Sequence, residues 1–125
     1  MSDCYERALS ALMSQAISVV IDAVSAANKA DNSDETIGAP RVIGLLHALH
    51  DSYADALMVI MYAGRGEYDD GHPYDEFAIE TQFHEWWDYL GMDGEHFVRE
   101  QMSEKWPLGD YLRKGAYMFR IETGR

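Results

Sequence analysis

Residues 3–29 read DCYERALSALMSQAISVVIDAVSAANK, and this stretch decides the fold class. Leu9, Leu12, Met13, Ala16, Val20, Ala23, Val24 and Ala27 recur at spacings of three and four, which is one apolar face of an amphipathic helix. Ser2 or Asp3 can cap its start, and Glu6 falls in the first turn, where the helix dipole favours an acid. Ile17, Val19 and Ile21 widen the stripe beyond what a helix with one side in water needs. This first helix is therefore expected either at the centre of the fold or at an oligomer interface.

Outward from it, ADNSDETIGAP (30–40) is polar, carries Gly38 and ends on Pro40, which suits the first turn of a helix. A second helix is expected from about Pro40 to Ala63, with Val42, Leu45, Leu46, Leu49, Tyr53, Ala56, Leu57, Ile60 and Met61 buried and Gly64 as its stop. The short connection predicts antiparallel packing of the two. GRGEYDDGHPY (64–74) reads as an exposed acidic loop. A third helix is expected over about Asp75–Leu90, with an aromatic face of Phe77, Phe83, Trp86 and Trp87. Asp93 can cap a fourth, over about Gly94–Lys105, which Pro107 ends. Residues 108–122 read as a fifth, shorter helix, although Gly115 sits in its middle, and a strand at 116–121 is the alternative. The expected fold is all-α, a single-domain bundle of about five helices.

Composition bounds the function. The 125 residues are 47% hydrophobic and 26% charged, a globular balance with room for one core. Cys4 is the only cysteine, so an intramolecular disulfide and a cysteine-based zinc site are excluded. The N-terminus lacks the basic start and apolar run of a signal peptide, and no stretch reaches the roughly 18 uncharged apolar residues of a membrane span. A cytoplasmic protein is expected. Net charge is −12, concentrated in residues 63–105, where twelve acids face three bases. Residues 106–125 are the basic exception, with four bases and two acids. Such a field disfavours direct nucleic-acid and anionic membrane contact and favours a partner with a basic surface.

Four constellations carry candidate chemistry. His47, His50 and Asp51 on the second helix, with Glu80 and His84 on the third, supply ligand types for a metal-dependent hydrolase. However, Glu-x-x-His and His-Glu-x-x-His are both absent. Carboxylate pairs Asp51/Asp55, Glu76/Glu80 and Glu85/Asp88 are spaced to hold magnesium. HDSYADALMVI (50–60) resembles a helix of the all-α nucleotide pyrophosphohydrolases, which implies a magnesium site, but the family's Glu-x-x-Glu occurs nowhere in this chain. His84, Trp86, Trp87, Tyr89 and Trp106 are dense enough for an interface, where Trp and Tyr are enriched. Finally, Glu67, Asp69, Asp70, Asp75, Glu76, Glu80, Glu85 and Asp88 fall close together, with Glu76, Glu80 and roughly Trp87 along one stripe of the third helix.

Carboxylates held at intervals on a helix can imitate a row of phosphates. The expected function is a non-enzymatic protein-binding domain without cofactor, which uses these acids and Trp87 to occupy a basic, nucleic-acid-binding surface. In size, charge and lack of a catalytic motif the chain resembles small acidic phage-type inhibitors of restriction or CRISPR complexes. The metal-dependent hydrolase and a homodimer seamed by the first helix are the alternatives.

Overall fold

The computed structural model describes residues 3–34, 37–66, 72–94 and 97–124. Among them are seven α-helices and no strand: α1 (Asp3–Leu12), α2 (Ala16–Ser33), α3 (Pro40–Ala48), α4 (Asp51–Arg65), α5 (Ile79–Tyr89), α6 (Val98–Ser103) and α7 (Leu108–Met118). A 3-10 turn over Glu76–Ala78 leads into α5. The all-α class is as the sequence predicts, but the expected count of about five is too low, because two long amphipathic patterns each break in two.

The first break bends α1 against α2 by 83°. It falls at Ser14, whose hydroxyl donates to the Ala11 carbonyl at 2.8 Å and so competes for an acceptor of the helix ladder. Tyr53 on α4 then holds Ser14 from across the fold, at 3.1 Å. The second break falls at Leu49, which is extended (ψ 145°) and hands over to His50 as the N-cap of α4. Its ring Nδ1 accepts from the Ser52 N–H at 3.2 Å. Arg99 of α6 reinforces this corner, donating to the carbonyls of Leu46 (2.7 Å) and Leu49 (2.8 Å) and to Asp51 (2.9 Å). The broken halves pair crosswise, α1 with α4 and α2 with α3, as an antiparallel hairpin would pair them.

The central helix is α4, not the first helix. Ala54, all of Ala56–Met61, Ala63 and Gly64 are buried, so α4 is apolar on every side, as a helix enclosed by others must be. α7 crosses it most extensively, and α1, α5 and α6 also pack on it. Gly64 and Gly115 make that crossing possible: a Cβ on either would collide with the backbone of the other helix. This is why a glycine sits inside α7, and it removes the strand alternative, since Ala116–Met118 are helical.

Two helix starts are capped from outside. α3 begins after Ala39, which has a left-handed backbone (φ 50°) and no side-chain cap. Asp31, near the end of α2, accepts instead from the N–H groups of Arg41 (3.3 Å) and Val42 (3.0 Å). At α7, Asn28 accepts from Gly109 N–H at 2.9 Å, while Asn28 and Asn32 both donate to the Trp106 carbonyl. One polar stripe of α2 therefore fixes the origins of both helices that pack on it.

The remaining boundaries also moved. The third predicted helix begins as the 3-10 turn, with Asp75 accepting from Phe77 N–H at 2.8 Å. Asp93 does not cap the fourth helix but accepts from the Trp87 indole N–H at 3.0 Å, and α6 is only six residues long. No single helix among the described residues is long and apolar enough to cross a membrane.

Candidate functional site

α5 amphipathicity sorts its residues into two faces. Ile79, Phe83 and Trp87 recur at four-residue steps and are buried. Glu80 and Asp88 are exposed along one edge of that face and Glu85 on the far side, and Glu76 stands exposed on the preceding turn. Steps of four residues advance about 6 Å along a helix, so Glu80, His84 and Asp88 form a ladder on one edge. His84 Nε2 lies 3.3 Å from Asp88 Oδ2, which gives an ion pair only when the imidazole is protonated.

The ladder sits against α1. Tyr5 is buried, and its ring meets Phe83, His84 and Trp87 with centroids 5.8, 5.4 and 5.6 Å away. Burial raises the Tyr5 phenol above its ordinary value, and the carboxylates of Glu80, Glu6 and Asp88 raise it further. Three acids from two helices therefore act on one point. Glu6, which the sequence reading used only as a first-turn acid, belongs to this acidic face, and nothing in the linear pattern links it to Glu80.

The phenol offers a direct readout. Its proton is held more tightly in the folded chain, so the stability tied to neutral Tyr5 is intact below about pH 10 and is lost as pH rises through the raised folded value. Tyr5→Phe should flatten the decline of urea-measured stability above about pH 10. In phenolate absorbance titrations, Glu80→Gln and Asp88→Asn should each lower the Tyr5 transition. A transition that neither variant moves would separate these carboxylates from the Tyr5 site.

Charge pairing elsewhere leaves the face unbalanced. Arg41 pairs with Asp31 and Asp34, Arg99 with Asp51, and Arg113 with Asp22. Among the described residues, no basic side chain pairs with Glu76, Glu80 or Glu85.

The other expected positions fall as follows. Glu67, Asp69 and Asp70 lie outside the described residues. Asp75 is exposed but is occupied as the cap of the 3-10 turn. Trp87 is only 1% exposed and is corrected from contact residue to core, on the buried face that the acid ladder borders. Trp86 is half-buried and donates to the Tyr74 hydroxyl at 2.9 Å. Trp106, the last of the expected aromatic group, is 65% exposed, and Phe77 (90% exposed) and Tyr89 (81% exposed) stand at the two ends of the acidic stretch.

The five residues of the metal alternative are not gathered. His47 is exposed in the last turn of α3, and His50 lies beyond that helix as the cap of α4. Asp51 is held by Arg99, Glu80 is exposed, and His84 faces Asp88. Among the described residues no three His, Cys, Asp or Glu side chains are grouped to hold an ion. No protein-family model, curated protein or solved structure matches this chain.

Proposed function

We propose that this chain is an acidic, non-enzymatic protein-binding domain whose α5 face occupies a basic, nucleic-acid-binding surface of another protein. The observation that carries this reading is the set of exposed carboxylates at Glu76, Glu80 and Glu85 that have no basic partner among the described residues, joined by Asp88 two turns beyond Glu80 on the same edge of α5, while the paired arginines serve acids elsewhere. A helix fixes the intervals between such charges, so a groove that accepts successive phosphates can accept them. Phe77 and Tyr89 add exposed aromatic area at either end, of the kind that anchors interfaces. The net charge of −12 steers the approach to a basic partner and makes it sensitive to salt. In its sharpest form the reading is a phage-type inhibitor of a restriction or CRISPR complex.

The test is neutralisation. The variant Glu80→Gln/Glu85→Gln/Asp88→Asn loses three exposed ion pairs worth roughly 0.5–1 kcal/mol each. Affinity for the basic partner, identified by capture from a host lysate, should fall about tenfold to a hundredfold at low salt. The difference from wild type should shrink as salt rises. Equal affinity at low salt would remove α5 as the contact.

Self-association is a second reading, supported by a different surface. Val19 is 68% exposed on α2, with Ala16, Ala23 and Ala26 exposed at helical spacing beside it. Light scattering should show a dimer at high concentration that Val19→Glu abolishes. A wild-type monomer at every concentration ends this reading.

A further inference from the structure

The acid ladder of α5 has an ionisable rung that is not an acid. His84 stands one helical turn from Glu80 and one from Asp88, and its side chain is 39% exposed. Its Nε2 lies 3.3 Å from Asp88 Oδ2. Among the described residues no lysine or arginine pairs with Glu80 or Asp88. Within that set, His84 is the one cation the ladder can acquire, and it becomes one by taking up a proton. His47 and His50 belong to the corner between α3 and α4, where His50 is committed to Ser52.

The groups packed around the imidazole are acidic, phenolic or apolar. From α1 comes the Tyr5 ring, whose centroid is 5.4 Å away at 68° to the imidazole. Glu80, Glu6 and Asp88 all raise the phenol of that ring, so carboxylates of both helices bear on this point. Glu76 stands on the turn before α5, and Glu85 follows His84 in the chain but points about 100° away from it. On the buried side of α5, Phe83 packs on Phe119 of the segment after α7, and the buried residues of α4 are apolar or glycine.

An ordinary imidazole changes charge between about pH 5 and 8, where carboxylates, lysines and arginines do not. With His84 neutral, Glu80 and Asp88 present two negative charges along one edge. With His84 protonated, Asp88 is taken into an ion pair and one negative charge is left on that edge. The new cation also repels any lysine or arginine that approaches.

We propose that His84 is a pH gate on the acidic face. Neutral His84 leaves the Glu80–Asp88 edge open to a basic partner, and protonated His84 closes it. The gate rests on the acidic-face reading above and adds regulation to it. The groups are solvent-exposed, so the gate is worth a few-fold in affinity rather than an all-or-none block.

The test is a titration of deca-lysine at low salt into the isotope-labelled full chain, followed through the backbone amide signals of residues 79–89, which read affinity at α5 itself. Between about pH 8 and about pH 5.5 the wild type should lose about threefold more affinity than His84→Gln. Glutamine is polar and cannot charge, so protonation of the other histidines cancels in the comparison. His84→Lys holds a permanent charge, so it should bind about threefold more weakly than wild type at about pH 8 and lose no more than His84→Gln on acidification. A wild-type pH response equal to that of His84→Gln would overturn the gate, as would a His84→Lys protein that binds as tightly as wild type at about pH 8. In both cases α5 still binds the polycation, and the acidic-face reading survives. Amide signals of α5 that deca-lysine leaves unmoved at about pH 8 would remove the acidic face and the gate together.

Discussion

Gly115→Ala is expected to cost more than about 4 kcal/mol or to prevent folding altogether. A Cβ at this position would run into the Ile60 carbonyl oxygen, with the carbonyl carbon at 2.8 Å and Ile60 Cγ2 at 2.9 Å. Gly64 is the reciprocal case, where a Cβ would meet the Tyr111 carbonyl and lie 2.6 Å from the Gly115 nitrogen. These are backbone atoms of a second helix, so no side-chain rotation relieves the clash. α4 and α7 would have to move apart, and theirs is the most extensive helix contact in the fold. Gly44→Ala is the control: its Cβ would meet nothing within 4 Å inside α3, so a gain of about 0.5–1 kcal/mol is expected. Urea denaturation of the two variants reads both effects. A Gly115→Ala protein as stable as wild type would refute the close crossing of α4 and α7.

Asp31→Ala should destabilise by about 2–4 kcal/mol. The Asp31 side chain is 1% exposed and serves two backbone donors at the start of α3, while Arg41 Nη1 lies 3.2 Å from Oδ1. Its removal strands those N–H groups, because the Ala39 methyl cannot accept a hydrogen bond in its place. Arg41→Ala tests the other half of the pair. Arg41 is about half exposed and also reaches Asp34 at 2.6 Å, so its loss should cost much less than the loss of Asp31. Equal costs for the two variants would mean that the ion pair, not the cap, holds α3.

The helical class was legible because it rests on local periodicity, and Pro40 marked a helix start at the expected place. The two breaks were not legible. A serine hydroxyl turned onto its own helix and a helix corner braced by Arg99 depend on Tyr53 and α6, which lie far away in sequence. Helix centrality was misread for a related reason. The run Ala56–Met61 is apolar on all sides, but the first helix carries a similarly broad stripe, and its exposed Val19 shows that part of that breadth faces outward. At the candidate site, four-residue steps align Glu80, His84 and Asp88, but Glu80 and Trp87 are seven residues apart and nearly eclipsed, so spacing alone did not separate the exposed acid from the buried ring. The contribution of Glu6 needed the packing of α1 on α5, which no spacing within α5 reveals.

The most direct test of the acidic-face account is capture of partners from a host lysate by the wild-type chain, at low and at high salt, followed by mass spectrometry and a challenge with duplex DNA. The account predicts a nucleic-acid-binding protein retained at low salt, shed at high salt and displaced by the DNA. A partner that stays bound at high salt and ignores the DNA, or no retained partner at either salt, would contradict it.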